Sequence, residues 1–398
     1  MIVKGEDDLP PISNRVTSLP PYLFSVFQQK KKLLESQGVD VIDLGIGAPD
    51  LPTPAFIIDQ LAKEAKKPAN HVYSSYNGCQ EFRQAVAGFY NRTYQVELDP
   101  DTEILALIGS KEGLAHMATA VLNPGETALV PDPGYPVYRS AVHLAGGTTT
   151  YLPLDAADNY RPLFDHVSKA DWNNASLMFL NYPGNPTAAT VDRSVFDEAV
   201  TFAKKHNVAL LHDAAYSALT YDGYQAPSVL ESNGAKDIAV EFGSLSKSFN
   251  MTGWRIGYVA GNRELIKALS IVKSNTDTSQ FLPVQKAGAA ALMSDFSAVK
   301  ENIAVYEKRM SIMLEALREL GIKVAKPRGT FFIWAPVPEG ITSSAFAERM
   351  LEEAGVIITP GIAFGPSGDK YFRISLSVGE ERLREAAERM KVLNSKER

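Results

Sequence analysis

The sequence predicts an α/β protein with a largely parallel central sheet flanked by helices, and a smaller α+β unit drawn from both chain ends. Two observations predict it. Short apolar runs (ILALIGS, ETALVPDPGYP, SLMFLNYPGNPT, VALLHDAAY and AVEFGSLSKS) are separated by helical segments, as buried parallel strands are. Past about residue 285 this rhythm stops, and strand-like pieces such as GTFFIWAPV and YFRISLS stand between helices. The reading divides the chain into a large domain over 48–285 and a small domain from 1–47 and 286–398.

The elements follow in order. Residues 1–20 are Pro-rich, and 21–38 form a helix with Tyr22, Phe24, Phe27 and Leu33 among its apolar positions. VIDLGIGAPDLPTP breaks into a Gly/Pro loop, and a helix runs over 54–65. EFRQAVAGFYNRTY and GLAHMATAVL are helical. Each apolar strand ends in polar residues, and ligands of such sheets bind beyond the carboxyl ends of the strands. A long helix from Val284 crosses into the small domain, which closes with a helix through SAFAERMLEEAG, the strands VIITPG and YFRISLS, and a C-terminal helix.

Composition excludes several classes. A net charge of -6 without any Lys/Arg block argues against nucleic acid as a partner. The single cysteine, Cys79, allows neither an intrachain disulfide nor a CxxC zinc site, fits a reducing cytoplasm, and leaves no metal expected. The polar, acidic start MIVKGEDDLPPISNR lacks the pattern of a signal peptide, and no apolar run approaches the ~18 residues that cross a bilayer. A cytoplasmic protein without membrane association is expected.

Four segments carry chemistry: GSKEG, NYPGNPT, HDAAY and GSLSKSFNMTGWRIGY. Gly109-Ser110-Lys111 opens a helix whose free N–H groups and dipole attract an anion. Lys247 follows a strand, and a desolvated lysine amine can condense with an aldehyde. Asp213 ends the apolar strand VALLHD, where a carboxylate needs a partner. Taken together, in this order and over nearly the whole chain, these segments resemble the fold-type I pyridoxal 5′-phosphate (PLP) enzymes, specifically the class I/II aminotransferases.

The resemblance implies a role for each residue. Lys247 holds PLP as a Schiff base and, once freed by the incoming amino acid, serves as the base of a 1,3-proton shift. Asp213 pairs with the protonated pyridine nitrogen and keeps the ring an electron sink. Tyr216 and Asn185 hydrogen-bond the ring oxygen O3′, and Tyr135 stacks on the ring. Ser110, Lys111, Ser244, Ser246 and Arg255 cradle the phosphate, joined by Tyr73 from a neighbouring subunit, which implies a homodimer. The alternative for Tyr73 is an exposed loop aromatic. Arg373 grips the substrate α-carboxylate with its planar fork, and Gly45 borders the same group.

The substrates implied are an amino acid and a 2-oxo acid. IGSKEGLAH, DLGIGAPDLPTP and FGSLSKSFNMTGWRIGY look most like the LL-diaminopimelate aminotransferase-like group, which also holds alanine, aspartate, methionine and aromatic aminotransferases. By the same resemblance Lys111 reaches a distal carboxylate and Tyr22 lines the pocket, although a surface lysine at a helix start is the alternative for Lys111. KSNTDTSQF departs from that group, which commonly has a glycine near Ser279. A carbon–sulfur β-lyase on the same fold is the rival reaction. A transcription regulator built on this fold would need a DNA-binding domain, and the segment before Tyr22 is too short for one.

Overall fold

The computed structural model of the chain describes residues 12–19 and 23–392, and of 23–28 the backbone alone. Tyr22, and the side chains of Phe24 and Phe27, therefore lie outside the described residues. Near the start, Ile42–Asp43 (β1) forms a short strand. The main sheet then follows as Ile104–Leu107 (β2), Thr127–Asp132 (β3), Thr148–Asp155 (β4), Arg161–Pro162 (β5), Ala175–Leu180 (β6), Ala209–Asp213 (β7), Ala239–Ser244 (β8) and Gly257–Gly261 (β9). Their spatial order is β2-β9-β8-β7-β6-β3-β4-β5. Pairs β4/β3, β3/β6, β6/β7 and β7/β8 are parallel. Strand β9 runs antiparallel to both its neighbours, and the edge strand β5 antiparallel to β4.

Every residue of β2, β3 and β7 is buried, as strands covered by helices on both faces must be. Fully burying a Leu or Phe is worth ~1.5–3 kcal/mol, so this layer is a rigid platform for whatever its ends present.

Four strands were not evident in the sequence: the two-residue strands β1, inside the expected Gly/Pro loop, and β5, and the longer β4 and β9. β4 reads TTTYLPLD and is largely half-exposed, so it shows no apolar run. β9, GYVAG, is interrupted by glycine for a packing reason. A Cβ on Gly257 would come within 2.7 Å of the Gly243 carbonyl, and one on Gly243 within 2.1 Å of the Tyr258 ring. The long helix expected from Val284 is instead two, Leu282–Met293 and Ser297–Glu319. Phe296 breaks it at φ 62°, and the Ser294 hydroxyl accepts from the Phe296 amide and donates back to Ala291.

Beyond these helices, Phe332–Pro336 (β10), Val356–Ile357 (β11), Thr359–Pro360 (β12) and Tyr371–Ser375 (β13) complete the strands. An antiparallel sheet of order β10-β13-β12 forms here, and β1 pairs in parallel with β11, so an early segment of the chain meets a late one.

The core also holds ionisable groups. Along β7 the side chains alternate, which turns His212 and Asp213 to opposite faces. His212 is fully buried and its Nδ1 lies 2.8 Å from Glu241 of β8. Glu241 further accepts from the Tyr90 hydroxyl at 2.7 Å, and from the Ser228 hydroxyl and Val229 amide at 2.9 Å each.

Candidate active site

Polar residues collect at one edge of the main sheet. Asp213 ends β7, Ser244 ends β8, and Asn185, Tyr135 and Ser110 follow β6, β3 and β2. Arg255 precedes β9, and because β9 runs in reverse its start lies at the same edge. A cavity of about 430 Å³ opens there, and Ser110, Lys111, Tyr135, Asn185, Asp213 and Tyr216 line one part of it. Ser244, Ser246, Lys247, Arg255 and Arg373 line the rest.

Lys247 lies in the short helix Leu245–Ser248, capped where the Ser244 hydroxyl accepts from the Ser246 amide. Its Nζ donates to the Gly47 carbonyl at 2.6 Å. Burial, and then the charge of Arg373, push its amine down to about 8, against the opposing pull of Asp213. Such an amine is partly neutral near pH 7 and able to attack.

Asp213 is buried, and its Oδ2 accepts from the Tyr138 hydroxyl at 2.8 Å. Its buried Oδ1 has no hydrogen bond of normal geometry among the described residues. Burial pushes this carboxyl up, while Tyr138, the charge of His212 and the Ala215 amide pull it back. An ionised carboxylate here wants a cationic donor on the cavity side. Tyr216 packs edge-on against Phe331 and Phe332, and burial pushes its hydroxyl up, so it stays a donor.

Arg373 on β13 is 2% exposed and lies over the rings of Phe332 and Phe364, 4.3 and 4.9 Å from their centres. Nη1 donates to Asn185 Oδ1 and Nη2 to the Gly45 carbonyl, both at 2.7 Å. Asn185 thus spends its acceptor on Arg373 and keeps its amide donors for the cavity.

At the opposite side, Gly109 N-caps the helix Ser110–Val121 at φ 80°. A Cβ there would come within 2.2 Å of Arg255 Nη2, so the guanidinium rests on the glycine backbone. Arg255 itself sits at φ 52°, and its Nη1 donates to the Thr252 carbonyl at 2.9 Å. Free helix N–H groups beside a guanidinium make an anion site.

The family model "Aminotransferase class I and II" matches residues 39–390. The chain is a class I and II aminotransferase. Family members depend on PLP, and the site suits that cofactor: an amine to bond its aldehyde, a buried carboxylate oxygen for its ring nitrogen, and an anion cradle for its phosphate.

The aminotransferase is 48% identical to an LL-diaminopimelate aminotransferase of Moorella thermoacetica, over 95% of this chain and 97% of the other. It is likewise 48% identical to an LL-diaminopimelate aminotransferase of Aquifex aeolicus, over 96% and 98%. Among solved structures it is similar to substrate-bound BacF from Bacillus subtilis, with TM-score 0.93, 38% identity, and 97% and 98% of the two chains covered.

Two expected residues stand apart from the cavity wall, and a third lies outside the described residues. Gly45 is engaged by Arg373 through its carbonyl, and the rim is formed by Ile46, Gly47 and Ala48 instead. Tyr73 is 90% exposed and does not line the cavity of its own chain. Tyr22 lies outside the described residues.

Around Asp213 two residues were missed. Tyr138 bonds Asp213 and meets Tyr135 edge-on at 5.7 Å. Its spacing, three residues past Tyr135 in a helical stretch, was a usable signal. Asn181 donates to the Asp213 carbonyl at 2.6 Å and accepts from the Asn185 amide at 2.7 Å, so it ties two elements of the site together. Its place directly after an apolar strand was the clue.

One further cluster gathers three side chains of metal-ligating type. Glu112, His116 and Asp277 place ligand atoms within 4.8 Å of one another. Lys273 Nζ already occupies it, 2.7 Å from Glu112 and 2.9 Å from Asp277. Among the described residues no helix is long and apolar enough to cross a membrane.

Proposed function

We propose that the aminotransferase takes its amino group from LL-diaminopimelate and passes it to 2-oxoglutarate. The reading is supported by the name shared by its relatives at 48% identity over nearly the full chain. When bound, PLP supplies an electron sink for the pair left when the substrate's Cα–H bond breaks. Lys247 holds the cofactor and, once displaced, takes and returns the Cα proton at Nζ. Asp213 holds the ring nitrogen in its charged form, with Tyr138 and Asn181 fixing the carboxylate and its backbone. Tyr216 and the Asn185 amide donate to the ring oxygen, and Tyr135 covers the ring.

In the same reading Ser110, Ser244, Ser246, Arg255 and the helix start hold the phosphate. Arg373 takes the substrate α-carboxylate, pre-shaped by Asn185, Gly45 and its two flanking rings. Lys111, in the first turn of its helix and on the cavity wall, takes the distal carboxylate. Tyr22 adds to the pocket wall. We propose a cytoplasmic homodimer in which Tyr73 enters the partner's cavity; its 90% exposure supports this. The cavity then lies between a large domain at 48–285 and a small one from 1–47 and 286–398.

The carrying observation is that Lys247, Asp213 and Arg373 face one cavity, with the Lys247 amine down at about 8. A spectral screen of amino donors with the PLP-loaded enzyme tests the substrate. LL-diaminopimelate should give the highest kcat/KM, by about tenfold over aspartate, alanine, methionine and aromatic donors, a margin of ~1.4 kcal/mol. A faster donor among those would replace it. Pyruvate and thiol release without a 2-oxo acid would point to a β-lyase instead.

A further inference from the structure

The stretch KSNTDTSQF has no part in the reading above, yet it reaches two sides of the site. The side-chain amide of Gln280 donates from Nε2 to two main-chain carbonyls on separate elements. One belongs to Leu107, the last residue of β2, two residues before Gly109. The other belongs to Arg255, at 2.8 Å. Both hydrogens of one planar amide are thus used to hold two strands' loops at a fixed spacing.

That spacing matters for two reasons. The Arg255 guanidinium rests directly on Gly109, where even a methyl would come within 2.2 Å of it. Arg255 is also a non-glycine residue at φ 52°, a conformation that persists only where the surroundings over-determine it. Gln280 supplies part of that determination by capping the Arg255 carbonyl.

Gln280 is itself anchored. Its main-chain carbonyl accepts from the Gln285 amide at 2.6 Å. Gln285 is fully buried in the helix Leu282–Met293. Its Nε2 also lies 3.2 Å from the Ser279 hydroxyl and 3.1 Å from that of Ser74, which share its second hydrogen, and its Oε1 accepts from the Cys79 amide at 2.6 Å. The turn carrying Gln280 is therefore pinned to the body of the chain by a buried, well-partnered amide.

We infer that Gln280, anchored by Gln285, is a positioning residue that sets the gap between Arg255 and the Gly109–Ser110 turn, and so the fit of this site to a phosphate dianion. This rests on the reading that those residues hold the cofactor's phosphate. Gln280 touches neither cofactor nor substrate in this account; it acts through the two carbonyls it holds.

The test is a titration of the full-length chain, freed of cofactor, with PLP and with pyridoxal, which has the aldehyde and ring but no phosphate. Gln280→Glu keeps the shape and removes both donors, setting a carboxylate against two carbonyls. Gln280→Ala is the milder second variant should the first fold poorly. Either should raise the Kd for PLP about tenfold, as two hydrogen bonds are lost, and leave that for pyridoxal within about twofold. Arg255→Ala is the control and should cost PLP more than either. Equal weakening of PLP and pyridoxal would make Gln280 a general support of the fold and overturn the proposal. Unchanged PLP affinity beside a weakened Arg255→Ala would overturn it while sparing the cradle reading. No phosphate-selective loss in Arg255→Ala would sink the cradle reading and the proposal with it.

Discussion

Adjacent residues of β7 bury two ionisable groups on opposite faces of one sheet, and the two are treated differently. Behind the sheet, Glu241 accepts from His212, Tyr90, Ser228 and the Val229 amide. In front, Asp213 accepts from Tyr138 on one oxygen and keeps the other buried without a well-formed bond. Both carboxylates lose water, but among the described residues Glu241 recovers more of its hydrogen bonds than Asp213 does. A saturated buried network stabilises and fixes geometry. An unsaturated one costs stability and stores affinity for what completes it. The contrast separates a saturated carboxylate from the one proposed to act on the cofactor.

The largest effect should come from the cavity side. Asp213→Asn should lower kcat/KM about 10³-fold or more, since in the proposed reading it removes the charge that would hold the ring nitrogen protonated. Its effect on the fold should be the reverse. Burial raises the folded-state carboxyl above its unfolded value, so ionised Asp213 destabilises the fold at pH above that range. The cofactor-free variant should therefore unfold at the same urea concentration as the parent or a higher one. A clear loss of stability would mean that Asp213 is held as a structural group after all.

Glu241→Ala should show the opposite pattern. It strands His212, the Tyr90 hydroxyl and the Ser228 hydroxyl in the core, and breaking such a buried network costs about 3–5 kcal/mol. Urea unfolding should record that loss. At a temperature where the variant is folded, its affinity for PLP should change less than threefold. If cofactor affinity falls as far as it does in Asp213→Asn, the two faces are not separable. Arg373→Lys comes next. It keeps the charge but loses the fork that meets Asn185 and Gly45, and should raise the amino-acid KM on the order of 30-fold with PLP affinity unchanged.

How much of this could be read from the sequence depended on whether a residue's role is local. Lys247, Asp213 and Asn185 lie just beyond apolar strands, so a strand pattern alone put them at one edge, whereas Arg255 precedes β9 and was placed there only by the family resemblance. The strands β2, β3, β6, β7 and β8 were legible because both faces are covered and their residues are nearly all apolar. β4 was not, because much of it is half-exposed and polar. β9 was not, because its glycines answer to Gly243 and Tyr258, which are far from it in sequence. The break at Phe296 was hidden because it holds neither glycine nor proline, and a helical pattern resumes directly after it. In the site, Gln280 and Gly47 act through carbonyls and amides on distant segments, and no residue-type pattern announces such contacts.

The smallest expected effect is a shift in a pH profile, and it sharpens the comparison most finely. The neutral amine of Lys247 is the form that attacks an aldehyde. With its titration brought down to about 8, capture of pyridoxal by the cofactor-free chain should accelerate as pH rises from 7 to 9, with its midpoint near 8. An ordinary lysine, at ~10.4, would still be climbing at pH 9. Asp213 raises the Lys247 value and Arg373 lowers it. Asp213→Asn should therefore move the midpoint down, and Arg373→Ala should move it up. Glu241 is not among the groups acting on Lys247, so Glu241→Gln should leave the midpoint in place even as it weakens the fold. A Glu241→Gln midpoint that shifts as far as that of Asp213→Asn would show the charge behind the sheet to be felt in the cavity, and the division between the two faces would fail at the atom where the chemistry occurs.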